Sequence, residues 1–343
     1  MRKPASVLVL AAGLLALGSA PAPAAPFHGV VTQGILSPAD LQQMGAGNAG
    51  TVRIRISWKA IQPALGTEPE TWNWTGLDEV MGAAAENGVR VLASLDGPSP
   101  PGAADPPVSS SARLAFAEFA GAVTDRYGRG GYFWETATSV LPIITYQVFN
   151  EQNGPAYWGA RPNPRKYAKL LKVASQEIGS QDGRAEIVLG GMFGTPSGRG
   201  AIDSWKFLNR MYEVNGLKRQ FDTVAIHPYA ENLRGIELQA KKIRDVMRAN
   251  RDRRAKLRIT EFGWGSAKHG HLNKGRKGQA RMLKKAFGLF EDRKRAWKIK
   301  GANWFSFQDD PTGACSFCRT SGLFEADRDP KPAWGAFKRV ARR

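Results

Sequence analysis

The 343 residues suffice for one large α/β domain or two small ones, a choice that composition leaves open. Lysine and arginine exceed aspartate and glutamate by 19, a field that draws polyanions of any kind: nucleic acid, anionic wall polymers or acidic lipid headgroups. Beyond the N-terminal segment no stretch approaches the ~18 uninterrupted apolar residues that a membrane-spanning helix needs, so the mature chain reads as soluble.

The chain opens on what reads as an export signal. Arg2 and Lys3 give the positive region, residues 7–17 the apolar core, and Ala22-Pro23-Ala24 a small-residue cleavage site. Residues 1–24 then leave the fold, and 25–343 is expected to be a secreted single domain. Without Arg2 and Lys3 the excess of positive charge is still 17.

From there, short β-branched or apolar runs alternate eight times with stretches of helical period. The strand candidates are 27–34, 52–58, 89–95, 143–150, 186–192, 223–229, 257–262 and 302–308. Helix starts are signalled by Ser37-Pro38, Thr75, the serines at 109–111 and Asn163-Pro164, and later helices are expected from about Asp203, Leu233, Lys277 and Pro332. Apolar faces that would cover a parallel sheet run through Leu114, Phe116, Phe119, Val123 and Tyr127, and through Met282, Ala286, Phe287 and Phe290. Eight βα units in one chain predict a closed (β/α)₈ barrel with its site at the C-terminal strand ends. A doubly wound open sheet would want a glycine-rich phosphate loop after the first strand, and Gly34-Ile35-Leu36-Ser37 offers none. The polar stretch 97–111 reads as a loop on the barrel's top face.

Strand ends are therefore where chemistry should be sought, and two glutamates stand there. Glu151 follows the fourth strand in Gln147-Val148-Phe149-Asn150-Glu151, and Glu261 closes the seventh in Arg258-Ile259-Thr260-Glu261-Phe262. Period-2 alternation puts Glu151 on the face of Gln147 and Phe149, and Glu261 on that of Leu257 and Ile259. Two carboxylates across a sugar-sized cleft can split a glycosidic bond, one protonating the leaving oxygen while the other attacks the anomeric carbon or activates water. A surface or helix-capping role is the bland alternative for either glutamate alone.

Asn150-Glu151 after strand four and Glu261 after strand seven resemble the signature of glycoside hydrolase clan A over nearly the whole mature chain. The segment Val52-Arg53-Ile54-Arg55-Ile56-Ser57-Trp58, with Ile61-Gln62-Pro63 after it, resembles the second-strand region of family 39 and related family 5 members. That resemblance implies a retaining double displacement with Glu261 as nucleophile and Glu151 as general acid/base. It further implies that Asn150 bonds the sugar 2-hydroxyl, that His227 or Tyr229 orients the nucleophile, that Arg53 keeps it ionised and that Trp304 stacks on sugar. Relatives often carry an acidic residue two places after the first arginine; here Arg55 stands there, on the same face as Arg53 and closer to the cleft. Trp158 and Trp264 are further candidate platforms. Each of these residues also has a structural reading: a turn asparagine, a satisfied core histidine beside a packing tyrosine, a buried salt bridge, a core tryptophan.

Near the C-terminus, Cys315 and Cys318 read as a local disulfide in an exported chain. A zinc site would need two more ligands, and His269-Gly-His271 is the only plausible pair. Asp309-Asp310 and the cysteine loop either shape outer subsites or form a plain loop. No cofactor is called for. The expected partner is an oligo- or polysaccharide, with an anionic wall or matrix polymer as a candidate for the basic surface. The basic stretches 241–256 and 274–300 lack the interleaved aromatics of a base-stacking surface, so nucleic acid is not expected, and neither is an oligomer. A transglycosylase, or a carbohydrate-binding barrel with little turnover, would use the same framework.

Overall fold

A computed structural model describes residues 26–159 and 161–342, so the export signal read at residues 1–24 lies outside the described residues. In chain order the elements are β1 (His28–Val31), α1 (Pro38–Ala46), β2 (Thr51–Ser57), α2 (Trp58–Ile61), α3 (Thr75–Glu86), β3 (Arg90–Asp96) and α4 (Ser110–Tyr127). There follow β4 (Thr145–Asn150), α5 (Pro155–Trp158), α6 (Pro164–Gln181), β5 (Glu186–Phe193), α7 (Ser204–Tyr212) and β6 (Thr223–His227). The chain ends with α8 (Leu233–Ala249), β7 (Lys256–Phe262), α9 (Gly275–Trp297), β8 (Ile299–Phe305) and α10 (Pro332–Ala341). Every strand pairs in parallel with the next and β8 pairs with β1, which closes the eight-stranded barrel that the alternation predicts. No helix among the described residues is long and apolar enough to cross a membrane.

Most helix starts follow their sequence signals, although α3 begins on Thr75 itself with no cap bond and α9 begins two residues before Lys277. Ser37 forms a full capping box with Asp40, and Ser109, Asn163 and Asn232 each accept a backbone N–H from the first turn of their helices. Asp203 precedes α7 but gives its carboxylate to Lys206 Nζ at 2.7 Å instead of capping. Two strand spans differ by three residues, while β4 starts two residues late at Thr145 and β6 stops two early at His227. β1 stops at Val31, because the chain then turns toward the Ser37 cap. β8 lies three residues earlier than 302–308: Lys298, left-handed at φ 53°, ends α9 and feeds the strand at once, and Gln308 makes an isolated bridge to Phe324 instead.

One apolar position also differs. Leu114 is 59% exposed, whereas Phe116, Phe119, Val123 and Tyr127 are fully buried. At ~100° per residue, Leu114 sits roughly 200° round the helix from Phe116 and so misses the core stripe. Phe116 and Phe119 pack on Trp58 at ring separations of 5.3 and 6.2 Å. On the far side, Phe262 of β7 meets Phe287 and Phe290 of α9 at 4.9 Å each. Burying each such ring contributes about 1.5–3 kcal/mol, and these layers fix the barrel wall.

The N-terminal end of the barrel is plugged by charge. Arg258 of β7 reaches Glu186 of β5 at 2.9 Å, and Thr223 also donates to Glu186. Burial opposes ionisation of Glu186, but the Arg258 charge and hydrogen bonds prevail and hold its pKa down to about 2. Phe119→Ala is expected to cost about 3–5 kcal/mol and Leu114→Ala less than about 0.5 kcal/mol, as read by urea unfolding midpoints at constant slope.

Candidate active site

At the opposite end of the barrel, β4 delivers Asn150 and Glu151 by a local backbone distortion. Phe149 and Glu151 are left-handed, at φ 69° and 44°, conformations that cost of order 1–3 kcal/mol each for non-glycine residues and cluster at functional sites. Phe149 therefore leaves the face it was expected to share with Glu151. Its ring packs outward, 5.1 Å from Trp158 and 6.3 Å from Phe116, while Gln147, Asn150 and Glu151 all face the barrel interior.

β7 uses a different device. Its register against β8 shifts between Ile259 and Phe262, so that Thr260 and Glu261 both face inward before Phe262 turns to the helix layer. The inward neighbours of Glu261 are thus Arg258 and Thr260, not the expected Leu257 and Ile259; a bulge resets the period-2 count. On β5, the run Gly190-Gly191 makes room for the site, since a Cβ on Gly191 would come 2.2 Å from His227 Nε2.

The two glutamates are held by separate sets of partners. Glu261 Oε1 accepts Arg53 Nη1 at 2.7 Å and its Oε2 accepts the Tyr229 hydroxyl at 2.8 Å. Glu151 Oε1 lies 2.7 Å from His227 Nδ1, and His227 Nε2 lies 3.1 Å from Thr260 Oγ1. A carboxylate oxygen of each glutamate and a ring nitrogen of His227 lie within 4.8 Å of one another. Arg53 also donates to Gln147 Oε1 (3.0 Å), Ser94 Oγ (3.1 Å) and Asn150 Oδ1 (2.7 Å), so it ties β2, β3, β4 and β7 together.

Burial sets the protonation pattern. It pushes Glu151 well above the usual carboxylate range, and the Glu261 charge adds to the effect. Burial raises Glu261 as well, but Arg53 and the Tyr229 hydroxyl pull it back. Both carboxyls stay raised, Glu151 the more, so of the two Glu151 is the better placed to hold a proton and Glu261 to carry charge. Burial, then the Arg53 charge, holds His227 well below its ordinary value. It is neutral, and either tautomer satisfies Glu151 on one side and Thr260 on the other. Tyr229 is driven well above the phenol range by burial and by Glu261, so it stays a donor.

Other expected residues fall at the rim or outside. Arg55 is half exposed and donates through Nε to buried Asp96, which also accepts the Ser94 hydroxyl at 2.8 Å. The three tryptophans are not platforms. Trp158 is buried against Phe149 and Tyr167, and Trp264 against Trp304, with Nε1 on the Ala230 carbonyl. Trp304 faces outward against Phe262 and donates to the Ser321 carbonyl; alternation gives the cleft side to Phe305, whose ring lies 6.1 Å from Tyr229.

The Cys315–Cys318 disulfide is formed, which removes the zinc alternative with His269 and His271. Asp309 is a structural anchor, paired at 2.6 Å with fully buried Lys331, and Asp310 bonds Thr312.

Sequence reasoning missed several members of the site. Asp96 ends β3, so the strand-end test that found the glutamates would have found it. Ser94 and Gln147 are polar residues within apolar strands, and Gly190-Gly191 marks a close approach. Tyr157 has no such signal; it lies on α5, and its hydroxyl is raised by burial and then by Glu151 and Glu261. Phe317 comes from the disulfide loop, with its ring 5.0 Å from Tyr229.

Glu151, His227 and Glu261 are also the one group among the described residues spaced to hold a metal ion. Arg53 and Tyr229 already engage both oxygens of Glu261, and a fixed guanidinium at 2.7 Å opposes a second cation there.

Removing Arg53 should show the strength of this pairing. Arg53→Met leaves the buried Glu261 without its cation, which raises its folded pKa further above the unfolded value. A group raised in this way favours folding below the unfolded pKa and loses that contribution as pH rises. The variant should therefore lose about 3–5 kcal/mol at pH 8 and less at pH 5, as measured by denaturant unfolding at both pH values.

No family profile matches the sequence, and no curated protein does. Solved structures do match in fold. A family 39 glycoside hydrolase from Bacteroides cellulosilyticus aligns with a TM-score of 0.68 at 20% identity, over 92% of this chain and 63% of that one. A family 5 hydrolase variant from Streptomyces cattleya, solved with Manβ1-4GlcNAc, aligns at 0.68 and 17%, over 93% and 80%. A monomeric β-xylosidase from Caulobacter crescentus aligns at 0.61 and 15%, over 91% and 67%. The chain thus spans just under two thirds of the length of the family 39 hydrolase. These likenesses are of fold alone: the closed (β/α)₈ barrel that the eight βα units predict is shared with these glycoside hydrolases.

Proposed function

We propose that the protein is a retaining glycoside hydrolase that cleaves a β-linked O-glycosidic bond in an oligo- or polysaccharide. The observation that carries this reading is the closeness of the two buried carboxylates, one oxygen of each lying within 4.8 Å of one of the other's. Retaining glycosidases hold their carboxyl groups roughly 5–5.5 Å apart, whereas inverting ones leave about 6.5–9.5 Å for a water.

The geometry supports a division of labour. Glu151, kept protonated by burial and by the neighbouring negative charge, delivers its proton to the leaving oxygen. Glu261, kept ionised by Arg53 and Tyr229, attacks the anomeric carbon and forms the glycosyl ester. Esterification removes the Glu261 charge that had raised Glu151. The Glu151 carboxylate can then take a proton from the water that resolves the intermediate. Asn150 Oδ1 accepts from Arg53 Nη2 at 2.7 Å, which leaves its amide N–H groups to donate to a sugar 2-hydroxyl. Half-exposed Arg55 and Tyr157 supply polar contacts at the rim of an open cleft. The N-terminal segment that reads as an export signal supports action outside the cell, and the basic excess supports a glycan embedded in an anionic wall or matrix.

Glu261→Ala should abolish turnover. Glu151→Ala should slow natural glycans by about 10²–10⁴-fold while sparing the first step with activated aryl leaving groups, as read by burst kinetics on a panel of aryl β-glycosides. Full activity of Glu261→Ala would overturn the assignment. Separately, proton NMR of the first-formed product should show the β-anomer; an α-anomer would mean inversion.

A further inference from the structure

We propose that Phe317, carried between the two cysteines of the disulfide, is a positioning residue: its ring holds Tyr229 so that the tyrosine hydroxyl stays on the nucleophile Glu261. The inference rests on the proposed hydrolase reading and concerns how that site is kept in register.

Tyr229 needs such a support because no strand holds it. β6 ends at His227; the Tyr229 N–H bonds only the His227 carbonyl, in a tight turn, and its own carbonyl accepts Gln239 Nε2. Packing must therefore set the direction of its ring. Beside the His227 ring at 6.4 Å, three phenylalanine rings do so: Phe193 from β5 stacks at 5.5 Å, Phe305 from β8 meets it edge-on at 6.1 Å, and Phe317 lies closest at 5.0 Å. Phe317 also touches Phe305 at 6.2 Å, so the cluster is closed on that side.

Phe193 and Phe305 are placed by the barrel itself, whereas Phe317 stands on a loop of the C-terminal face. That loop is fastened far beyond what a plain connection requires. The Cys315–Cys318 bond brackets Phe317 directly. Gln33 Nε2 holds the Cys318 carbonyl at 2.9 Å, and Trp304 Nε1 holds the Ser321 carbonyl at 3.1 Å. Asp309 accepts the Gly322 N–H at 2.7 Å, and its buried partner Lys331 reaches the Thr320 carbonyl at 3.1 Å. Phe317 is only 9% exposed as a result. An aromatic contact of this kind restrains a ring that would otherwise sample other rotamers.

The sign of the consequence follows from the Tyr229–Glu261 hydrogen bond. Donation from Tyr229 lowers the Glu261 carboxyl pKa, so loosening Tyr229 raises it. The acidic limb of kcat/KM, which reports the nucleophile's ionisation in the free enzyme, must then move to higher pH.

The experiment uses the best aryl β-glycoside from the panel above and compares wild type with Phe317→Ala, Phe317→Leu, Phe317→Tyr, Tyr229→Phe and the Phe317→Ala/Tyr229→Phe double variant. Phe317→Ala should lower kcat about tenfold, equivalent to ~1.4 kcal/mol, leave KM within roughly twofold, and shift the acidic limb upward; the fold-changes assume the loss of about one hydrogen bond. Phe317→Tyr, which restores a ring, should recover activity. In the Tyr229→Phe background, Phe317→Ala should add little, because both act through the same hydroxyl. Cys315→Ser/Cys318→Ser keeps the phenylalanine but frees its loop, and serves if Phe317→Ala fails to fold; it should move the limb in the same direction. An unmoved acidic limb, an effect on KM alone, or full additivity with Tyr229→Phe would overturn the proposal. A wild-type protein inactive on every glycoside would instead overturn the hydrolase reading, and this proposal with it.

Discussion

The site depends on one buried cation. The Arg53 guanidinium reaches Glu261 on β7, Ser94 on β3, and Gln147 and Asn150 on β4, so it fixes four strands of the barrel relative to one another and favours the charged form of Glu261. Burying an arginine is costly unless its donors are satisfied, and here each direction of the fork meets an oxygen. The requirement runs both ways: Arg53 offsets the rise that burial imposes on the Glu261 carboxyl, and Arg53 is tolerated because Glu261 and three polar side chains receive it.

From that pairing follows the contrast between two chemically identical side chains. Both glutamates are buried and both are raised by burial. Only Glu261 has an arginine and a phenol within hydrogen-bond reach, whereas Glu151 has a neutral histidine. One carboxyl is therefore free to hold a proton and the other to give up its own. The backbone distortions at Phe149, Glu151 and the β7 register shift serve this contrast. They let consecutive residues project inward where regular alternation would send every second one out. Strain of a few kcal/mol is carried by the aromatic layers that wrap the barrel.

The limits of legibility lie in those same distortions. Glu151 and Glu261 were found because a strand-end position is a local property of a sequence, and Arg53, Asn150, His227 and Tyr229 because their spacing to strand ends is local too. Counting by twos nevertheless misassigned the neighbours of both glutamates, since a left-handed residue or a bulge changes the parity without changing the sequence pattern. The tryptophans failed for a related reason. Trp158, Trp264 and Trp304 stand beside strand ends, but a ring's direction depends on what else competes for the core, and these three fill the wall while Phe305 and Phe317 turn to the cleft side. Leu114 shows the same limit on a helix, where an apolar residue near the core stripe still points away.

What the sequence by itself determined was the set of eight strand and helix units, the helix caps and the pair of acidic strand ends, because hydrophobic period, capping side chains and strand termini are written within a few residues of one another. Only the tertiary structure decided that a carboxylate oxygen of Glu151 lies within 4.8 Å of one of Glu261, that Arg53 serves one and His227 the other, and that a disulfide loop some fifty residues beyond Glu261 brings Phe317 against Tyr229. Those relations arise when β8 closes on β1 and brings distant segments to one end of the barrel, and no local pattern encodes a closure.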